Sequence, residues 1–302
     1  MRISIDIGGR KLEAAAFDRD GELHLRCRIP TPRGDYAATV DAIAHLVEPI
    51  ESELGQRCTL GLGIPGNISA ASGLIKNAYS SPFNRRPLDR NLAARFDRPV
   101  RLMNDANCLA LSEARGGVAA GAKTVFDKVL STRCGSGIVV HGELLTDTAA
   151  VSGELDDNPL PWPEDEETPG LLCCYGKHGC IETFISGNGL YHQQATYVGE
   201  QLGAKEIVAR SEKGDILSIS SMEHCESRLA RAFAANINVI DSDIIVLGEG
   251  ISNYSRLYNT PPPQWPNWVL SDRVTTKSRL PWIGDSSRVR GAACLWPEGV
   301  AL

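Results

Sequence analysis

The chain has no surplus of positive charge: 31 lysines and arginines stand against 37 aspartates and glutamates, a formal charge of −6. Proteins that hold nucleic acid or an anionic membrane by charge carry clustered lysine and arginine. Both partner classes are therefore excluded on charge, and any polyanion must be held by a local site. Long apolar runs are missing as well, because no segment approaches the roughly 18 apolar residues of a membrane span. No leader is expected either: Met1 runs straight into RISIDI, with no basic region, apolar stretch or cleavage signal. A cytoplasmic location is expected. Nor is there an even set of cysteines. Nine are present, and Cys27, Cys58, Cys108, Cys134, Cys225 and Cys294 stand singly, which suits buried thiols in a reducing compartment rather than a disulfide framework. Only LLCCYGKHGCIETF, residues 171–184, gathers cysteines, at Cys173, Cys174 and Cys180.

The 302 residues, 42% hydrophobic and 23% charged, suffice for a substantial core and about two domains. RISIDIGG, KLEAAAFD and LHLRCRIP alternate between turn formers and read as an antiparallel meander. A helical period follows over 37–54, with a kink expected at Pro49. CTLGLGIPG reads as a buried strand, and VRLMNDANCLALSEARGG as a strand to Met103, a cap at Asn104 and a helix ending at Gly116 and Gly117. From about Lys123 a second strand–turn–strand, TVFDKVLSTRCGSGIVVHGELL, echoes the opening meander as a loose repeat. NPLPWPEDEETPG predicts an exposed loop. Helical signals over 217–239, the strand SDIIVLGEG and a last helix capped by Asp285 or Ser286 complete the chain. This is an α/β protein in two lobes with a cleft between them. The first lobe spans 1–115 and the second, with the cysteine-rich loop, 116–285; the last helix, about 286–298, is expected to pack on the first.

Two stretches offer chemistry from their residues alone. In DIGGRK, Asp6 precedes the glycine turn of Gly8 and Gly9, followed by Arg10 and Lys11; glycines admit phosphate oxygens to backbone N–H groups, and the carboxylate could hold a hydrated Mg²⁺. A plain hairpin turn explains the same residues equally well. In NDAN, Asp105 sits where a strand hands over to a helix, the end of an α/β sheet at which ligands bind. It could accept a proton from a substrate hydroxyl that Asn104 orients, or it could simply favour the helix N-terminus.

DIGGRK, GIPGNIS, NDANC, GELDDNPLPW, GCIETFISG, IIVLGEG and GDSSRVRGAA, in that order from Met1 to Trp296, together resemble the ROK family of sugar kinases, nearest the bacterial fructokinases and mannokinases. The resemblance implies a two-lobed actin-like ATPase fold of the ribonuclease H-like type, with an interlobe cleft. It implies an ATP- and Mg²⁺-dependent kinase that phosphorylates a fructose- or mannose-like hexose, usually at the 6-hydroxyl, and homodimerisation. Asp105 matches the catalytic base, and Asn104, Asn84, Glu154, Asp157 and Glu182 the sugar-side residues. Asp6, Gly8, Gly9, Arg10, Lys11, Thr132, Gly135, Gly137, Gly248 and Gly250 match the nucleotide side. A repressor of the same family would need a DNA-binding module, for which no room is expected ahead of the first strand.

The chain departs from the family pattern at the loops. Arg10 replaces a threonine, Ser131, Thr132, Arg133 and Cys134 interrupt a glycine-rich turn, and Glu249 interrupts a glycine triplet. The family's zinc-binding histidine is Asp157, and the middle cysteine of its motif has moved back to Cys174, with Tyr175 in its place. Zinc prefers four tetrahedral ligands, which here would come from Cys173, Cys180, Asp157 and Cys174, with His178 as a substitute. A loop of thiols held by packing is the other reading, and the one favoured here. Altogether the residues are those of a hexose kinase, or of a sugar-binding relative whose nucleotide loops have decayed.

Overall fold

The computed structural model describes residues 1–78, 81–146, 149–282 and 287–297. The first run of elements is β1 (Arg2–Ile7), β2 (Lys11–Phe17), β3 (Leu23–Pro30), α1 (Tyr36–Leu54), β4 (Thr59–Ile64), β5 (Asn67–Ile68), β6 (Ile75–Lys76), α2 (Leu88–Phe96), β7 (Val100–Asn104) and α3 (Asp105–Gly116). The second is β8 (Thr124–Leu130), β9 (Cys134–Val140), β10 (Glu143–Leu144), α4 (Glu182–Ile185), α5 (Gly187–Gln193), α6 (Ala204–Glu212), α7 (Ile216–Ile240), β11 (Ile244–Gly248), β12 (Lys277–Arg279) and α8 (Ser287–Ala293). Two compact units result. One comprises Met1–Arg115, Leu144–Ser152 and the described part of Asp285–Leu302; the other comprises Gly116–Glu143 and Gly153–Gly284.

In the first unit the sheet runs β3-β2-β1-β4-β7. The meander pairs antiparallel, whereas β1, β4 and β7 are parallel. Strands buried on both faces can be apolar throughout, as TLGLGI is in β4. Helix α1 covers one face with Ile43, Leu46, Val47 and Ile50. Asp35 caps it, accepting from the Ala38 N–H at 2.9 Å, and Gly55 ends it with φ 65°. Pro49 lies inside this helix, which continues to Leu54. Helix α8 packs on β1, β2 and β4. Its backbone crosses α3 so closely that a Cβ at Gly291 would stand 1.7 Å from the Cys108 carbonyl oxygen, so only glycine fits. The expected cap at Asp285 or Ser286 and the expected end at 298 lie outside the described residues. The helix itself stops at Ala293, earlier than its sequence suggested, because the Cys294 N–H bonds back to the Gly291 carbonyl at 3.0 Å and Pro297 follows.

The second unit repeats the plan, with order β10-β9-β8-β11-β12. Here β8 pairs antiparallel with β9 and parallel with β11. Helix α7 buries Met222, Cys225, Leu229, Phe233 and Ile237, a helical stripe against the sheet, where Phe233 meets Phe126 edge-on at 6.5 Å. The segment expected as an exposed loop departs from that expectation at two residues, Leu160 and Glu167. Glu167 is buried, and it accepts hydrogen bonds from Arg228 Nε at 2.7 Å, Arg231 Nη1 at 2.7 Å and Arg231 Nη2 at 2.7 Å. Among the described residues no helix is long and apolar enough to cross a membrane.

Candidate functional site

Register places the first group of site residues. Because β1, β4 and β7 run parallel, Asp6 stands opposite Gly63 and Ile64 opposite Asn104, so Asp6, Asn104 and Asp105 gather at the carboxyl ends of the strands. Gly63 lies beside both residues: a Cβ there would be 3.6 Å from Asp6 Oδ1 and 3.9 Å from the Asp105 Cα. Asn104 is held at both ends of its amide, donating to the Gly66 carbonyl at 3.1 Å and accepting from the Ala106 N–H at 2.9 Å. Asp105 Oδ1 shares that N–H at 2.9 Å, and Oδ2 lies 3.0 Å from Arg288 Nη1. The Asp105 side chain keeps 26% of its surface exposed. Beneath it the Cys108 thiol is pushed well up by burial, and the nearby Asp105 and Asp6 carboxylates add to the effect.

The turn after β1 is closed by its own backbone. The Gly8 N–H donates to the Lys11 carbonyl at 3.0 Å, and Thr31 Oγ1 donates to the Gly8 carbonyl at 2.7 Å. Gly9 faces open space, with nothing within 4 Å of a Cβ position. Lys11 Nζ reaches Glu13 at 3.2 Å, and the same buried carboxylate accepts from Arg26 and Arg28. Asn84 is used locally: its amide bonds both the N–H and the carbonyl of Ala78, at 2.9 Å and 3.1 Å.

The other residues lie in the second unit. Thr132 and Arg133 form the β8–β9 turn, and Gly135 and Gly137 pair with Val129 and Asp127. The Ser131 and Thr132 carbonyls accept from the Gly187 and Asn188 N–H groups at 2.8 Å and 3.1 Å, which fixes the turn on α5. Gly248 ends β11, and Gly250, with φ 51°, lies so near Leu130 that a Cβ would stand 1.8 Å from its carbonyl oxygen. Between them Glu249 holds φ 61° and ψ 177°, a region costly for any residue with a Cβ. Glu249→Gly should relieve that strain and stabilise the protein by about 1 kcal/mol, read as a higher denaturation midpoint.

Glu154 opens a short 3₁₀ turn, Leu155–Asp157. That turn is anchored by the fully buried Lys128, whose ammonium bonds the Asp156 carboxylate and, at 3.2 Å, Ser136 Oγ. Burial works against the lysine's charge, but Asp156 outweighs it and holds the ammonium protonated. The Asp157 carboxyl is pushed up by burial and by the neighbouring Asp156 and Glu182 charges. Glu182 accepts from Arg133 Nε at 3.2 Å and Nη2 at 3.3 Å. The same guanidinium donates to Cys174 Sγ at 2.8 Å.

The sequence profile of the ROK family matches residues 2–299. The chain is a member of the ROK family. Over 299 residues, 98% of this chain and 99% of the relative, it is 34% identical to the N-acetyl-D-glucosamine kinase of Vibrio cholerae serotype O1. It is 32% identical to that of Escherichia coli strain K12 / DH10B, over the same share of each chain. The crystal structure of the ROK hexokinase from Thermus thermophilus matches with a TM-score of 0.87 at 26% identity, covering 97% of this chain and 96% of that one. The α/β fold is thus the actin-like ATPase fold of ROK proteins.

Against the ROK pattern, Cys173, Cys180, Asp157 and Cys174, the residues a zinc site would draw on, are not disposed as one ligand set. Among the described residues no group of three or more histidine, cysteine, aspartate or glutamate side chains is disposed to hold a metal ion. The physical reason lies in their partners. The Cys180 thiol reaches the Asp157 backbone carbonyl at 3.7 Å, and both Cys173 and Cys180 are buried. Cys174 is exposed and turned to Arg133, and His178 Nδ1 pairs with the Gly170 carbonyl at 3.0 Å. The loop is closed instead by backbone bonds, such as the Cys173 N–H to the Lys177 carbonyl at 2.7 Å.

Sequence reading missed three charged side chains in this ROK protein. Lys128 carried a signal, being a lone lysine in the strand TVFDKVL, buried almost throughout. In the sequence Arg133 stands out only as a lost glycine, and Arg288 is one letter of GDSSRVRGAA.

Proposed function

We propose that the protein is an ATP-dependent kinase that transfers the γ-phosphoryl group to a hydroxyl of a hexose, most simply the 6-hydroxyl. The observation that carries this reading is the Asp105 carboxylate, paired with Arg288 and partly exposed at the carboxyl end of β7, with Asp6, like Asp105, beside Gly63. Asp105 takes the acceptor proton and Asn104, fixed at both ends, orients the acceptor. Glu154, Asp157 and Glu182 receive the remaining hydroxyls, while Asn84 shapes the loop next to Ala78. Phosphoryl transfer needs positioning and charge neutralisation more than covalent help. The residues fit a nucleotide with magnesium: Gly9 leaves open space, Arg10 and Lys11 bring cations, and Asp6 would hold the hydrated metal. Thr132, Gly135, Gly137, Gly248 and Gly250 would line the other phosphate-side turns. Magnesium, when bound, neutralises charge on the transferring phosphoryl group.

Relatives that carry the name N-acetyl-D-glucosamine kinase at 34% identity make that amino sugar the first acceptor to try, ahead of fructose and mannose. The test is ADP formation with ATP, Mg²⁺ and each sugar in turn. Turnover with at least one supports the reading, and no turnover with any hexose rejects it. A second reading, a sugar-binding relative with a decayed nucleotide site, draws on Glu249, a carboxylate-bearing residue with a strained backbone where the family has glycine. It expects thermal stabilisation by hexose but none by Mg-ATP.

Arg133 takes both oxygens of Glu182 and so fixes its direction. Arg133→Ala should raise KM for the sugar about tenfold, or about 1.4 kcal/mol, with kcat little changed in steady-state kinetics.

A further inference from the structure

We propose that Arg288 is a positioning residue for phosphoryl transfer, its guanidinium fixing the Asp105 carboxylate so that Oδ2 faces the acceptor hydroxyl. The inference rests on the kinase reading, in which Asp105 is the base. Oδ1 is committed to the Ala106 N–H at 2.9 Å, and Oδ2 meets Arg288 Nη1 at 3.0 Å. A carboxylate oxygen has two acceptor directions, so Arg288 uses one on Oδ2 and leaves the other for the incoming hydroxyl. Without the guanidinium, among the described residues, the Oδ1 hydrogen bond to the Ala106 N–H would be left to restrain the group's rotation.

The arginine is itself held in place. Ser287 Oγ donates to Glu113 Oε1 at 2.7 Å, and both residues are fully buried. Gly291 lies against the Cys108 carbonyl, and Arg115 Nη1 donates to the Cys294 carbonyl at 2.9 Å. All three contacts tie α8 or the turn after it to α3, the helix that Asp105 begins. Side-chain exposures of 15% for Arg288 and 26% for Asp105 set this pair apart from freely solvated surface pairs, which fix little. A planar guanidinium also directs its N–H groups in a way a lysine ammonium does not.

The experiment compares the full chain with Arg288→Ala, Arg288→Lys and Asp105→Asn, using ATP, Mg²⁺ and whichever hexose the parent phosphorylates. Arg288→Ala is expected to lower kcat about 100-fold, the scale of losing a near-attack orientation, with KM for sugar and for ATP within about threefold. Arg288→Lys, which retains the charge, should recover about tenfold of that loss. A merely structural arginine would lower the melting temperature of Arg288→Ala without this separation of kcat from KM. The inference is overturned if Arg288→Ala keeps the parent kcat, or exceeds it, while Asp105→Asn is inactive. A parent without turnover overturns the kinase reading and this inference with it, whereas an Asp105→Asn variant as active as the parent leaves the kinase reading standing and overturns this inference, because Asp105 is then not the base.

Discussion

Asp105→Asn should lower kcat for hexose phosphorylation about a thousandfold, within the range a positioned general base contributes, while KM for the sugar changes only a few-fold. Asparagine keeps the shape and can still accept from the Ala106 N–H that Asp105 Oδ1 holds at 2.9 Å. It cannot take up the proton that the acceptor hydroxyl releases. Its amide would also turn N–H groups toward Arg288 Nη1, now 3.0 Å from Oδ2, and the lost ion pair should cost about 1 kcal/mol for a partly exposed pair. That is too little to unfold the unit, so the loss of turnover can be read as chemistry. Initial rates from a coupled ADP assay, with circular dichroism to check folding, measure both quantities. Full activity in the asparagine variant would remove Asp105 from the mechanism.

The largest stability effect is expected at Glu167. This carboxylate accepts from Arg228 and Arg231, whose side chains are 9% and 2% exposed, and it is itself 3% exposed. Arg228 also bonds Gln193, and Arg231 Nη1 donates to the Trp162 carbonyl at 2.6 Å. Glu167→Ala would leave two buried guanidinium groups short of their counter-charge, at a cost of about 3–5 kcal/mol. For a protein of this size the melting temperature should fall by roughly 10 °C. Burial alone would raise the Glu167 carboxyl; hydrogen bonds from Arg231 and Arg228 outweigh it and bring it from 4.5 down to about 2. The sign follows from linkage. A depressed folded value gives stability that is complete above the unfolded value near 4.5 and is lost as pH falls toward 2. Denaturation midpoints measured between neutral pH and pH 2 should show this acid-labile component in the parent and lack it in Glu167→Ala.

Local signals were enough for the elements whose residues decide their own structure. Alternation and turn formers mark β1 to β3, and the helical period marks α1, α3 and α7. Helices α4 and α5 run only four and seven residues, too short for a period to show, so tertiary packing rather than pattern makes them. Asp105 was legible because a strand end and a helix start meet in five consecutive letters, MNDAN. Glu167 was not, since the arginines that bury it lie 61 and 64 residues further on. The same limit hid Arg288, whose meaning depends on α8 crossing α3. At the cysteine loop, spacing identified Cys173 and Cys180, but the turn of Cys174 toward Arg133 depends on a strand connection far away in the chain.

The place of α8 in the chain has a consequence for synthesis. The sheet of the first unit begins at residue 2, yet the helix that covers β1, β2 and β4 starts at Ser287. On the ribosome the opening strands must wait with part of their apolar surface uncovered, while the middle of the polypeptide emerges and can fold first. Nascent chains halted before α8 should therefore engage chaperones and yield to protease within the opening strands, and release of the final segment should end that vulnerability.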